Sequence, residues 1–189
     1  MEPRAFLDFL SYAARLKDVP RHCMTPGGIP ENVAGHSWRM ALMAMLLTGE
    51  FPELDMDKVT RMCLIHDLGE AVTGDIPTFV KTAENEAVEE KAIDGLIGIL
   101  PEGEGGMLRA LFDEMDALKT PEARFYKALD KIEAVISHNE SDLSTWIPLE
   151  RELNLTYATK EAAPFPFLKC LRAMMLSDTE KKLAKGDQK

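Results

Sequence analysis

A chain of 189 residues, 46% hydrophobic and 29% charged, has material for one globular domain with a substantial core. Its formal charge of −10 excludes nonspecific binding to nucleic-acid backbones, which calls for a basic surface. The longest apolar run, Met40 to Leu47, is too short for a membrane span, and Cys23, Cys63 and Cys170 lack CxxC spacing and read as reduced thiols.

Helical periodicity runs through almost every segment, and no stretch alternates as a strand would. The start, Met1-Glu2-Pro3-Arg4, lacks a basic segment followed by an apolar one, so no signal peptide is expected and a cytoplasmic protein is. After Pro3, Phe6, Phe9, Leu10, Ala13 and Leu16 share one stripe of a first helix. Between positions 19 and 35, Pro20, Pro26, Gly27, Gly28 and Pro30 dictate a long loop, of a kind that is often functional. A second helix, about 35–47, is apolar nearly all round and therefore central. Asp55 caps a third that carries Val59, Met62, Cys63 and His66. Gly69 and Gly74 interrupt the pattern, and Asp75-Ile76-Pro77 makes a turn.

A fourth helix carries Ala92, Ile93, Leu96, Ile97 and Leu100. Glu84, Glu86, Glu89 and Glu90 in its opening turns read as a solvated face, favoured there by the helix dipole. Gly103, Gly105 and Gly106 mark a loop before a short helix near 107–118. Thr120 caps the next helix, with Pro121 in its first turn and Phe125, Ala128, Leu129, Ile132, Val135 and Ile136 facing inward. Two further helices cover about 143–157 and 165–176. The prediction is an all-α fold, one domain over 1–176 followed by a polar tail over 177–189 that frays.

His36, Met40, Met43 and Leu47 share a stripe, so His36 faces the core. His66 lies on the same face as Met62, and Asp67 is rotated by about 100° from it on a helix of about 3.6 residues per turn. A short carboxylate there still converges on an ion beside His66. Polar groups at such positions need a compensating interaction, and a bound metal supplies one for all of them. Asp130, at the margin of a strongly amphipathic helix, completes a set of two imidazoles and two carboxylates. That mixture suits one divalent transition-metal ion, Mn²⁺, Fe²⁺, Co²⁺, Ni²⁺ or Zn²⁺, better than Ca²⁺ or Mg²⁺.

The order His36, then His66-Asp67, then Asp130 resembles the HD-domain metal-dependent phosphohydrolases. The strings His66-Asp67-Leu68-Gly69-Glu70 and Gly74-Asp75-Ile76-Pro77 look like one branch, the 5′-deoxynucleotidases and their HDDC-type relatives. The resemblance implies a compact helical bundle in which His36, His66, Asp67 and Asp130 hold the metal. It implies that Glu70 orients or deprotonates the attacking water, that Asp75 sits near the phosphate and protonates the leaving 5′ oxygen, and that Arg21 binds the phosphate. Lys81 and Lys127 add positive charge. No histidine lies between His66 and His138, which favours a single ion and phosphomonoester hydrolysis. His22 stands where bacterial relatives have an aromatic that helps to exclude a ribose 2′-hydroxyl, so sugar preference is open. The expected partner is a nucleotide, not a nucleic acid or membrane, and self-association into a homodimer through the first or last helix follows from the resemblance alone. Rival readings are a nucleotide triphosphate or alarmone hydrolase of the same type, and a metal-binding scaffold without turnover.

Overall fold

The computed structural model describes residues 1–186 and is built almost wholly of helices. In chain order these are α1 (Pro3–Ala13), α2 (Val33–Leu46), α3 (Met56–Ile65), α4 (Glu70–Thr73), α5 (Ala83–Ile97), α6 (Glu102–Ala117), α7 (Pro121–Glu140), α8 (Pro148–Thr156), α9 (Thr159–Ala162) and α10 (Pro166–Gly186). Local chemistry sets several of the boundaries. Asn32 opens α2 by accepting the Gly35 N–H at 2.7 Å, Asp55 opens α3 through Lys58 N at 2.9 Å, and Thr120 opens α7 through Ala123 N at 3.2 Å, each satisfying an orphan donor of the first turn.

α2, α3 and α7 pack on one another and share a core that includes Val33, Met40, Val59, Met62, Phe125, Leu129 and Ile132, all fully buried. α7 is the hub, since α6, α9, α10 and the segment before α2 also rest on it. No described helix is long and apolar enough to cross a membrane.

Three expectations require correction. The loop expected between 19 and 35 folds into a small antiparallel pair, β1 (Pro20–Met24) and β2 (Pro30–Asn32), with Gly28 turning it at φ +77°. Its register is irregular, so no clean alternation was there to be read. The glycines at 103, 105 and 106 lie inside α6 rather than before it. Pro101 and two early glutamates favour that earlier start, and a Cβ on Gly105 would come within 3.2 Å of Ile97, so the glycine permits close approach to α5. The tail expected to fray from Ser177 is helical through Gly186. Leu168, Arg172, Met175 and Thr179 form its buried stripe, and Thr179 is locked between Asn139 at 2.9 Å and Asn154 at 3.0 Å. Positions 187–189 of that expected tail lie outside the described residues.

Candidate functional site

The site forms where α2, the end of α3 and α7 converge. α3 stops at Ile65, with His66 as its cap, and the chain turns through Asp67, Leu68 and Gly69 before α4 begins at Glu70. Glu70 therefore reaches the site from a new helix rather than from the next turn of the old one. Gly69 is required by packing, because a Cβ there would come within 2.7 Å of the Glu89 side chain and 3.1 Å of Ile93 on α5. Gly74 has φ +77°, a conformation that only glycine adopts readily, and it directs Asp75 back toward the site.

His36 is fully buried, with Nε2 3.3 Å from Asp130 Oδ1. His66 Nε2 lies 3.0 Å from Asp67 Oδ2 and 3.9 Å from Asp130 Oδ1, and the two imidazole centroids are 5.3 Å apart. One ligand atom from each of His36, His66 and Asp67 lies within 4.8 Å of the others. The second nitrogen of each ring is already committed. Nδ1 of His36 donates to the Glu133 carboxylate, and Nδ1 of His66 donates to the Cys63 carbonyl at 3.0 Å. This fixes the tautomers so that both Nε2 lone pairs face the carboxylates, where neither makes a directed hydrogen bond. On the neutral rings, lone pairs pressed against carboxylate oxygens in a buried space repel; a proton or a metal cation among them relieves that repulsion. The donor set thus fits a divalent ion.

The charges of the site point the same way. With no cation present, burial and Arg21 oppose protonation of His36, but the Asp130 and Glu133 carboxylates beside its two ring nitrogens prevail and push its pKa up to about 9. A pocket that holds a proton so firmly offers the same field to a metal cation. Burial opposes ionisation of Asp67, yet His66 and His36 keep it well below the usual carboxylate range. Lys127, at 2.8 Å, and the same two histidines do so for Asp130. Glu133 is likewise held down against its burial by His36, Arg21 and Arg39.

Arg21 on β1 donates from Nε to Glu31 Oε2 at 3.1 Å and has Nη1 3.6 Å from Asp67 Oδ2. Burial works against its charge, but Asp67, Glu133, Glu31 and Asp130 more than offset that and keep the guanidinium ionised. It lines a cavity of about 380 Å³ together with Asp67, Asp130, Glu70 and Asp75. Burial first, then Asp67 and Asp75, push Glu70 up to about 10, and its Oε2 is buried without a partner. Burial also raises Asp75, against the pull of Arg21. Lys81 and Lys127 line the same cavity, Lys81 paired with Glu89 and Lys127 with Asp130. Glu89 is therefore not part of the solvated face expected of the α5 glutamates.

All seven residues singled out in the sequence come together here: Arg21, His36, His66, Asp67, Glu70, Asp75 and Asp130. Sequence reasoning missed Glu133, Glu31 and Ser137, which link Arg21 to His36. Ser137 Oγ lies 2.9 Å from both Glu31 Oε1 and Glu133 Oε1, and Arg39 Nε is 3.2 Å from Glu133. A fully buried glutamate on the apolar stripe of α7 was a readable signal; the Glu31 contact, made across 106 positions, was not.

Residues 13–166 match the model of the HD domain family. Human 5′-deoxynucleotidase HDDC2 is 33% identical over 141 residues, covering 72% of this chain and 68% of its own, and the Dictyostelium discoideum protein of the same name is 30% identical over 92% and 97%. The crystal structure of a predicted metal-dependent phosphohydrolase from Magnetospirillum magnetotacticum superposes with a TM-score of 0.80 at 29% identity, covering 95% of this chain and 93% of that one.

Proposed function

The chain belongs to the HD-domain family, and on that premise we propose that it is a divalent-metal phosphohydrolase that removes the 5′-phosphate of nucleoside monophosphates. The observation that carries this reading is the pair of buried, unpartnered Nε2 atoms of His36 and His66 facing Asp67 and Asp130, two carboxylates that in turn line a 380 Å³ cavity. A volume of that size lies at the lower end of the range for small-molecule sites, roughly 300–1,000 Å³. His36, His66, Asp67 and Asp130 hold the ion, which when bound supplies Lewis-acid polarisation of a phosphoryl oxygen and acidifies nearby water.

The remaining roles belong to the chain. Arg21, positioned by Glu31, binds the phosphate oxygens with a charge already in place before substrate arrives. Glu70, with a buried Oε2 that has no partner, orients the water that attacks phosphorus and accepts its proton; a cation held beside Asp67 would draw its proton affinity down from about 10 into the range of a general base. The bond from phosphorus to the 5′ oxygen breaks, and Asp75, its carboxyl shifted toward the protonated form by burial, supplies the proton to the departing oxygen.

Self-association and location belong to the same proposal. Trp38, Leu42 and Met45 form one exposed stripe on α2, at one-turn and two-turn spacing, with Leu46 beside them. This is a stronger candidate for a homodimer face than the first or last helix. Trp38→Glu combined with Met45→Glu should then yield monomers in equilibrium sedimentation. The free thiols fit a cytoplasmic enzyme.

The test of the activity is phosphate release from ribo- and deoxyribonucleoside mono- and triphosphates. The protein is stripped by chelation and reloaded with Mn²⁺, Co²⁺ or Zn²⁺, alongside Asp67→Ala. Orthophosphate from monophosphates, lost in the variant, is the expected result. Pyrophosphate or triphosphate release, or none from any nucleotide, overturns the proposal.

A further inference from the structure

A second and larger space, of about 610 Å³, borders the proposed metal ligands between α5, α6 and α7. Asp67 lines both this space and the 380 Å³ cavity, whereas His66 lines only the second space. Its lining changes with depth. Ile93, Phe112, Met115 and Tyr126 are buried with His66, while Glu86, Glu90 and Asp116 are exposed. The space therefore runs inward from a rim of carboxylates to an imidazole. At its inner end lies the unpartnered, buried Nε2 of His66, 3.0 Å from Asp67 Oδ2.

The basic residues of this lining are already engaged. Lys81 pairs with Glu89, Arg109 with Asp94, and Lys127 with Asp130 at 2.8 Å. Glu86, Glu90 and Asp116 have no ion-pair partner among the described residues. Burial, then Glu90 and Asp113, raise the Asp116 carboxyl against the pull of Arg109 and Lys127, so like charges crowd the rim. An anion entering here meets matched cations and free carboxylates; a divalent cation is drawn by both the rim and the inner end. Apolar walls such as Phe112 and Met115 focus that field along the passage. The 380 Å³ cavity suits the opposite traffic. Arg21 stands in it with Nη1 3.6 Å from Asp67 Oδ2, a fixed charge that repels a cation approaching that carboxylate and attracts a phosphate.

We propose that the space between α5, α6 and α7 is the port through which the divalent ion reaches and leaves His66 and Asp67, steered by Glu86, Glu90 and Asp116, while the phosphate ester enters on the Arg21 side. The inference rests on the metal-binding part of the reading above and not on the reaction. A passage with its own mouth lets the ion exchange without crossing the substrate cavity.

The experiment measures the rates of metal exchange. Uptake of Co²⁺ by metal-stripped protein is followed by stopped-flow quenching of tryptophan fluorescence, its loss by a chelator chase, and its dissociation constant by calorimetry. Each variant is checked for folding by its Tm. At low ionic strength, Glu86→Gln, Glu90→Gln and Asp116→Asn combined should slow uptake by about tenfold, the lower end of the gain from electrostatic steering. The deficit should shrink as salt rises to about 0.15 M, where exposed charges are screened beyond about 8 Å. kcat at saturating metal should stay at the wild-type value. Ala87→Phe, at an exposed position of the lining, should slow uptake and loss by the same factor and leave the dissociation constant unchanged, the signature of a passage rather than a ligand. It carries the test if the combined variant does not fold. Leu153→Phe, which adds similar bulk in the other cavity, should leave both rates as in the wild type. An uptake rate for the combined variant within about twofold of wild type, well below the expected loss, overturns the inference while leaving the metal site intact. So does slowing by Leu153→Phe but not by Ala87→Phe. Wild-type protein that takes up no divalent ion overturns both.

Discussion

Replacing Glu133 by glutamine tests whether the support behind His36 governs the metal site. Both side chains are fully buried, and the imidazole Nδ1–H is donated to a carboxylate whose other oxygen faces Ser137 and Arg39. Glutamine keeps the volume and one acceptor oxygen but removes the charge. Charged hydrogen bonds contribute about 1.5–3 kcal/mol and are roughly twice as strong as neutral ones, so the imidazole loses about 1 kcal/mol of orientation and basicity. Loss of an outer partner of a metal-bound histidine weakens affinity by about 10–100-fold. That range corresponds to about 1.4–2.7 kcal/mol. The assay is competition for Mn²⁺ against a chromophoric chelator, with kcat measured at saturating metal. We expect the dissociation constant for Mn²⁺ to rise by about 10–100-fold, with kcat at saturating metal changing less. A folded Glu133→Gln protein whose Mn²⁺ affinity stays within about twofold of wild type would refute the reasoning, since that is far below the expected loss.

Other outcomes follow from the same geometry. Asp67→Ala removes one of the proposed direct ligands, so its loss of metal affinity by calorimetry should exceed the ~100-fold expected from an outer partner. Metal at about one hundred times its dissociation constant should stabilise the fold by about 2.7 kcal/mol, read by thermal scanning as a Tm rise of roughly 5–10 °C over chelated protein. Glu70→Gln should raise the Tm of chelated protein, and the gap from wild type should widen with pH. The folded chain holds that proton to about 10, whereas the unfolded chain releases it near 4.5, so wild-type stability falls as pH rises between those values and that of the variant does not. Asp75→Asn should lower kcat more for substrates with poor leaving groups, since those need the proton most, and the deficit should narrow as pH rises and the wild-type carboxyl loses its own proton.

The parts of the site that were legible before any coordinates shared one property: a polar side chain where the helix period demanded an apolar one. His36 on α2 and His66 at the end of α3 announced themselves in that way, and Asp130 did so less sharply from the margin of α7. Glu133 carries the same signature three residues after Asp130, but its partner His36 lies on another helix, so no local spacing marks it as part of the site. Glu31 and Ser137 carry no such mark, because the hairpin that delivers Glu31 has an irregular register and its prolines read as loop. The end of the chain misled for a different reason. Its buried stripe is half polar, with Arg172 donating to the Tyr157 and Asn154 carbonyls and Thr179 bonded to two asparagines, and hydrophobic periodicity does not register such a face.

One rod sets the scale of everything the cavity accepts. α7 carries Asp130 beside the two buried histidines, Ser137 in the middle of the network and His138 against Glu150, so a single stretch of hydrogen-bonded backbone acts as a ruler. Eight residues of helix span about 12 Å. The spacing between the Asp130 end and the His138 end of the cavity wall is therefore graduated by backbone geometry rather than by loop conformation. Lengthening α7 by one residue between these marks would swing His138 by about 100° around the axis, so selection can tune the side chains along the ruler far more easily than its length.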